Sequence, residues 1–204
     1  MNNFNFMIKY FFYWVIKKNP IFEMYLKGRL VLDVGCGEGE VVSMDKDNFF
    51  GIDINKKAIS RCLNSGLNVK FGEVDRIPFG DNFFDVVYCS NVIEHLSPIK
   101  ARNMIIEMKR VLKNGGIIII ITPMPKTVWN TFGHIKPYPP AALKKILRPI
   151  SLESFDSISG LRIDVVFYYG SWSHNKVVFL LSTLLANIFP ILRSSHITII
   201  KKYE

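Results

Sequence analysis

The chain has 204 residues, 49% hydrophobic and 21% charged, with a formal charge of +9. This is an ordinary globular composition, long enough for one domain over 1–204 with a full core. Three cysteines, Cys36, Cys62 and Cys89, match no zinc or redox spacing, and their odd number argues against a disulfide framework. A reducing, cytoplasmic setting is expected.

The charge is uneven. Between Asp33 and Glu94 there are 11 acids against 6 Lys/Arg, and the remainder carries 6 acids against 20 Lys/Arg. That basic remainder suits either an anionic partner (nucleic acid or a membrane surface) or a solvated lysine surface.

In chain order, the first 28 residues open with FNFMIKYFFYWVIKKN, expected as part of an N-terminal helical cap. The stretch lacks a basic leader and is broken at Lys9, so it reads as neither signal peptide nor membrane span. RLVLDV, FFGIDI, NVKFGEV, FFDVVYC and GGIIIIIT follow as strands, near-continuously apolar like those of a parallel sheet covered on both faces. Between them NKKAISRCLNSG is a helix with Ala58, Ile59 and Cys62 on one face. SPIKARNMIIEMKRVLKNGG is another. It has Ser97 as N-cap, Pro98 at its first position, an apolar stripe through Met104, Ile105, Met108, Val111 and Leu112, and Asn114-Gly115 at its end. Only 13 residues separate Gly39 from Asp53, so the helix after the first strand must be short.

Later, PPAALKKILRPI is expected as a helix, LRIDVVFYY as a strand, 173–189 as a helix and HITIIKKY as the final strand. The apolar run Val177–Leu192 has 16 residues and contains Asn187 and Pro190, short for a span and suited to a buried or interfacial helix. The alternation predicts a doubly wound α/β fold with its functional loops gathered at the strand C-termini.

The first strand runs into VLDVGCGEGE. A dinucleotide fingerprint needs a third glycine where this chain has Glu40. Asp33, Glu38 and Glu40 would also repel a pyrophosphate, which favours helix N-termini free of like charge. Acids and closely approaching glycines suit instead a cationic adenosyl ligand such as S-adenosylmethionine (SAM). Asp53, 18 residues beyond Gly35, ends the second strand, where a carboxylate accepts from ribose hydroxyls. Glu73 and Asp75 end the third, within reach of an adenine amino group.

With these motifs in view, the sequence resembles the class I SAM-dependent methyltransferases, near their type 11 group. VLDVGCGEG, GIDIN, GEVDRIPFGDNFFDVVYCSNVIEHL and RVLKNGGIIIIITP resemble four family motifs in order, over roughly Arg29–Pro123 and more weakly to Arg148. The resemblance implies a Rossmann-like methyltransferase fold: a mostly parallel seven-stranded sheet with an antiparallel last strand. It implies SAM as cofactor, with Asp33, Gly35, Cys36 and Gly37 along its methionine portion. Asp53 falls on the ribose with Ile54 beside it, and Glu73 with the Val74 backbone on the adenine. The family's adenine residue is usually Asp, so Asp75 is the alternative to Glu73. Ser90 and Asn91 complete the cofactor set at the fourth strand's end.

In SNVIEHL, His95 is a candidate general base. Some relatives hold Mg²⁺ with E-x-x-E-H. Here the first position is Asn91, leaving Glu94 and His95 as a weakened hard-ion pair or as packing residues. His134 and Tyr138 in GHIKPY are candidate substrate contacts, or members of a structured turn. Lys144, Lys145 and Arg148 read as a solvated helix face or an anion site. Tyr168, Tyr169 and Trp172 form core, an acceptor wall or anchors at a membrane interface, with Trp172 and His174 just before the apolar helix.

Segments 124–150 and 170–195 are the expected lids. The expected acceptor is a small or lipid-like molecule, with peripheral membrane contact. RNA methylation, and SAM binding without turnover, are the alternatives; an NAD-dependent dehydrogenase ranks last.

Overall fold

The computed structural model describes residues 19–147, 158–170 and 176–203. The stretch Phe4–Lys18, Arg148, Trp172 and His174 lie outside them.

Seven strands form one sheet: β1 (Val31–Val34), β2 (Phe49–Asp53), β3 (Asn68–Phe71), β4 (Phe84–Ser90), β5 (Leu112–Pro123), β6 (Leu161–Tyr169) and β7 (Ser195–Lys202). Their order is β3-β2-β1-β4-β5-β7-β6. The first five run parallel, and β7 is antiparallel to both β5 and β6. The helices are α1 (Lys56–Asn64), α2 (Pro98–Val111), the single turn α3 (Pro125–Val128), α4 (Pro140–Leu147) and α5 (Lys176–Ile188).

The isoleucine run of β5 shows why the strands are continuously apolar. Ile118 and Ile120 join Met104, Ile105 and Met108 of α2 on one face of the sheet. Ile117 and Ile119 join Ile59 and Cys62 of α1, with Phe167 of β6, on the other. Alternate residues of a strand point to opposite faces, so a sheet covered twice needs apolar residues at every position.

The helix caps follow the sequence. Asn55 Oδ1 accepts from the backbone N–H of Lys57 and Ala58 to start α1, and Ser97 Oγ accepts from that of Lys100 to start α2. The end of α2 differs. The helix stops at Val111, before Asn114-Gly115, because its last carbonyls find other donors. Asn82 and Phe83 donate backbone N–H groups to Arg110 O and Val111 O. The buried Lys202 ammonium donates to Lys109 O at 3.0 Å and Leu112 O at 2.6 Å. Leu112 is drawn into the sheet opposite Phe84, and the chain bulges through Gly115 before β5 resumes beside β4 at Ile117.

The helix expected after β1 is reduced to the 3-10 turn Val42–Met44. Among the described residues, no helix is long and apolar enough to cross a membrane. In α5, Asn187 donates to Tyr168 O at 2.7 Å and accepts from Tyr168 N–H at 3.1 Å. This polar residue in an apolar helix satisfies the open side of β6, the sheet's edge strand.

Candidate active site

The C-terminal ends of β1 and β4 meet at a cavity of about 310 Å³, and Asp53 at the tip of β2 is not among its lining residues. Its walls include Asp33, Gly35, Cys36 and Gly37 from β1 and its loop, with Ser90 and Asn91 from the end of β4. The loop is pinned to β2. Gly35 and Cys36 donate backbone N–H groups to Ile52 O at 2.8 and 3.0 Å. Gly37 donates to Asp53 Oδ2 at 2.9 Å, and Asn55 donates to Asp53 Oδ1 at 2.7 Å.

Two glycines are required by this geometry. Gly35 has φ +78°, and a Cβ there would run into the Val92 side chain. Gly37 has φ +50°, and a Cβ there would meet nothing within 4 Å, so its absence leaves backbone open to a ligand.

Asp33 is 5% exposed. Burial, with the charge of Asp53 adding to it, pushes its carboxyl up to about 7. Burial and the same two acids push the Cys36 thiol up as well, leaving it unsuited to nucleophilic work. Glu38 is an ion-pair partner of Arg61, which leaves the exposed Glu40 and the ionised fraction of Asp33 as the unpaired acids on the cavity wall. No Lys, Arg or His lines the cavity among the described residues. An acid-walled hollow with exposed backbone fits a cationic adenosyl donor, and its charge opposes a pyrophosphate.

The other expected contacts lie apart from this cavity. Ile54 is exposed just beyond Asp53. Glu73, Val74 and Asp75 follow β3. Lys100 Nζ, in the first turn of α2, sits 2.9 Å from Glu73 Oε2 and 3.6 Å from Asp75 Oδ1. Tyr138 does not face the crevice. It is 2% exposed, and its hydroxyl donates to Leu96 O at 2.9 Å, so the expected substrate contact is corrected to a core residue.

Asn91 has φ +55°, a left-handed conformation that asparagine tolerates better than most residues. Beyond it a 3-10 turn, Ile93–His95, carries Glu94 and His95. Glu94 is fully buried and accepts from Thr122 Oγ1 at 2.9 Å, while its main-chain oxygen accepts from Ile135 and Lys136 N–H. This holds the 131–136 loop against the turn, and the His95 and His134 rings meet edge to face at 4.6 Å. Each ring points Nδ1 at a backbone carbonyl: Gly133 O at 3.1 Å for His95 and Val128 O at 2.5 Å for His134. A carbonyl cannot donate, so Nδ1 carries the proton in both neutral rings and Nε2 keeps the free lone pair.

Glu40, Val41 and Tyr88 also line the cavity, though the sequence reading gave them no contact role. Tyr88 packs against the apolar cluster on the α1 face of the sheet. Val41 and Tyr88 also wall a second cavity, of about 290 Å³, which adds Ile21, Leu26, Met44 and Ile121.

The fold and the cavity together define a doubly wound α/β domain built to bind an adenosyl cofactor at its strand tips. Residues 32–120 match the family model described as a methyltransferase domain. An uncharacterised protein of Methanocaldococcus jannaschii is 35% identical over 138 residues, covering 67% of this chain and 56% of that protein. The tRNA (carboxymethyluridine(34)-5-O)-methyltransferase of Arabidopsis thaliana is 34% identical over 104 residues, covering 50% of this chain and 24% of that protein. The chain thus spans about half, or less, of the length of these curated relatives. The crystal structure of a SAM-dependent methyltransferase from Archaeoglobus fulgidus superposes with a TM-score of 0.69 at 21% identity, covering 95% of this chain and 99% of that one. It shares the fold. Residues 32–120 thus form a methyltransferase domain of the type 11 group, on the fold of SAM-dependent methyltransferases, with SAM as the cofactor.

Proposed function

We propose that this chain catalyses methyl transfer to a small or lipid-like acceptor that enters beside Tyr88. One observation carries the reading: the acid-lined cavity and the second cavity, which Ile21, Leu26, Met44 and Ile121 help to line, share the wall formed by Val41 and Tyr88. A cofactor in the first and an acceptor in the second would meet across it.

In this reading Asp33, with the Gly35–Gly37 backbone, holds the cationic methionine portion. Asp53 holds the ribose, and Glu73 or Asp75 with the Val74 backbone holds the adenine. When bound, the cofactor supplies an electrophilic methyl on a sulfonium. The chain's own work is to align the acceptor and exclude water. His95 Nε2, with its lone pair free, takes the acceptor's proton.

The surroundings support an apolar acceptor. Trp129, Phe132 and Ile135 follow β5, and Ile188, Phe189 and Ile191 precede β7, all exposed at the sheet end that carries the cavities. Lys126 Nζ donates to Ile191 O and ties the two groups together. This rim suits a cytoplasmic protein that touches a membrane surface peripherally.

A second reading, RNA methylation, is favoured by the +9 charge and by the tRNA-methylating relative. Incubating the purified chain with SAM and either a lipid extract or total tRNA separates the two. S-adenosylhomocysteine released only with lipid supports the first reading; release only with tRNA replaces it.

A further inference from the structure

We propose that the outer face of α5, with the loop after β5, is a docking surface for an anionic phospholipid bilayer, and that α5 lies in the plane of the headgroups. The inference rests on the lipid-like acceptor proposed for this chain, and it names the surface from which that acceptor is taken.

The inner face of α5 fixes its orientation. Thr183 and Ala186 are buried, Thr183 Oγ1 accepts from Gly170 N–H at 3.3 Å, and Asn187 takes the peptide groups of Tyr168. β6 ends and β7 begins at the sheet end that carries the cavities, so α5 runs beside the strand tips. Leu181, Leu185 and Ile188, at spacing i, i+4 and i+7, then fall on the opposite side, and all three are exposed. No charged residue occurs from Leu181 to Leu192. A solvated helix face carries charge. This one carries an aliphatic stripe that continues through the exposed Phe189 and Ile191.

The loop after β5 supplies the other half. Met124 N–H donates to Ser194 O, and Lys126 Nζ donates to Ile191 O, which joins the loop to the segment that follows α5. The loop presents Trp129 and a fully exposed Phe132. A tryptophan beside aliphatic residues suits the boundary between headgroups and acyl chains.

Charge decides the occupant. Residues 124–136 and 181–194 contain no Asp or Glu, and they carry Lys126, Lys136 and Arg193. Arg193 Nε donates to Ala186 O at 3.1 Å, so its guanidinium, like the Lys126 ammonium, is held beside the apolar stripe. A second copy of this face would bring the same cations again, with no acid to meet them. RNA would meet the cations, but aliphatic side chains offer its bases no stacking surface. Anionic headgroups above acyl chains match both features.

The test uses the full chain without SAM or acceptor. Flotation is measured with vesicles of phosphatidylcholine, and of phosphatidylcholine mixed with phosphatidylglycerol, and tryptophan fluorescence is followed with brominated acyl chains. The proposal expects co-flotation with the mixed vesicles that salt weakens, and binding to pure phosphatidylcholine roughly tenfold weaker or less. It expects quenching that falls in Trp129→Phe, and vesicle binding weakened roughly tenfold or more in Phe132→Glu and in Leu185→Glu. Both replaced side chains are exposed, so these two variants keep the parent circular dichroism and SAM affinity. Absence of binding to the mixed vesicles, equal binding to both kinds of vesicle, or binding unchanged in both variants overturns the proposal. So does tRNA binding that the two variants lose while their vesicle binding persists. Vesicle binding with no S-adenosylhomocysteine released from a lipid extract would instead strike the methyl-transfer reading alone.

Discussion

The backbone N–H of Gly37 donates to the Asp53 carboxylate at 2.9 Å, tying the glycine loop to the tip of the neighbouring strand. Asp53 therefore serves the loop as well as any ribose. Asp53→Ala should weaken SAM binding by about 1.5–3 kcal/mol, the scale of hydrogen bonds to a charged group. Amide exchange at Gly37 should accelerate in the same variant. Calorimetry and hydrogen exchange check the two halves separately, and unchanged affinity removes Asp53 from the cofactor site.

Asp33 gives the cofactor site a pH dependence. Its carboxyl titrates near 7 in the folded chain, and a cation beside it favours the ionised form. SAM affinity should rise as pH increases through 7, and binding near neutral pH should release protons. In Asp33→Asn both effects should vanish, along with at least tenfold of the affinity at pH 8. Titrations in two buffers of different ionisation enthalpy measure the proton count.

The same shift acts on stability. A carboxyl raised to about 7 binds more protons folded than unfolded, so its burial penalty fades as pH falls from 7 toward the ordinary carboxylate value. His196 acts the opposite way. Burial lowers it to about 4, while its ring contacts Thr198 Oγ1 and Tyr138 O. The stability it contributes is present above 6.5 and lost as pH falls toward 4. The two slopes oppose each other over nearly the same window. Wild type should change little between pH 7 and 4.5, whereas Asp33→Asn should be more stable at pH 8 and lose about 3 kcal/mol on acidification. Denaturant melts across that range give the comparison.

Tyr138→Phe removes a buried hydroxyl from Leu96 O. It should reduce stability by about 1 kcal/mol and leave both SAM affinity and turnover unchanged. A large loss of turnover at unchanged stability would return Tyr138 to the substrate.

His95→Ala should keep SAM affinity within about twofold and lower turnover about 10²–10⁴-fold. Turnover equal to wild type makes His95 a packing residue.

Much of this was readable from residues in order. The strands are visible because a doubly covered sheet forces continuous apolar runs, and Asn55 and Ser97 announce their helices by capping chemistry. The shrunken first helix follows from counting residues between Gly39 and Asp53. What escaped depends on partners distant in sequence. Asn114-Gly115 carries an ordinary helix-stop signal, yet the helix ends earlier because Asn82, Phe83 and Lys202 claim its carbonyls. Tyr138 between prolines looks available, and only the fold shows Leu96 O taking its hydroxyl. Val41 and Tyr88 gain importance from two hollows that meet at them, which no local pattern encodes. His134 lies 39 positions beyond His95, and the two become neighbours only through the backbone bonds that Ile135 and Lys136 make to Glu94.

β7 threads between β5 and β6, although it is synthesised after both. While the chain is being made, five parallel strands can assemble, but β6 has no neighbour until residues 195–202 emerge. Its inner edge therefore stays unpaired during that interval, a period of vulnerability to strand exchange with other nascent chains. A ribosome stalled shortly before Ser195 would hold the domain at its most adhesive moment.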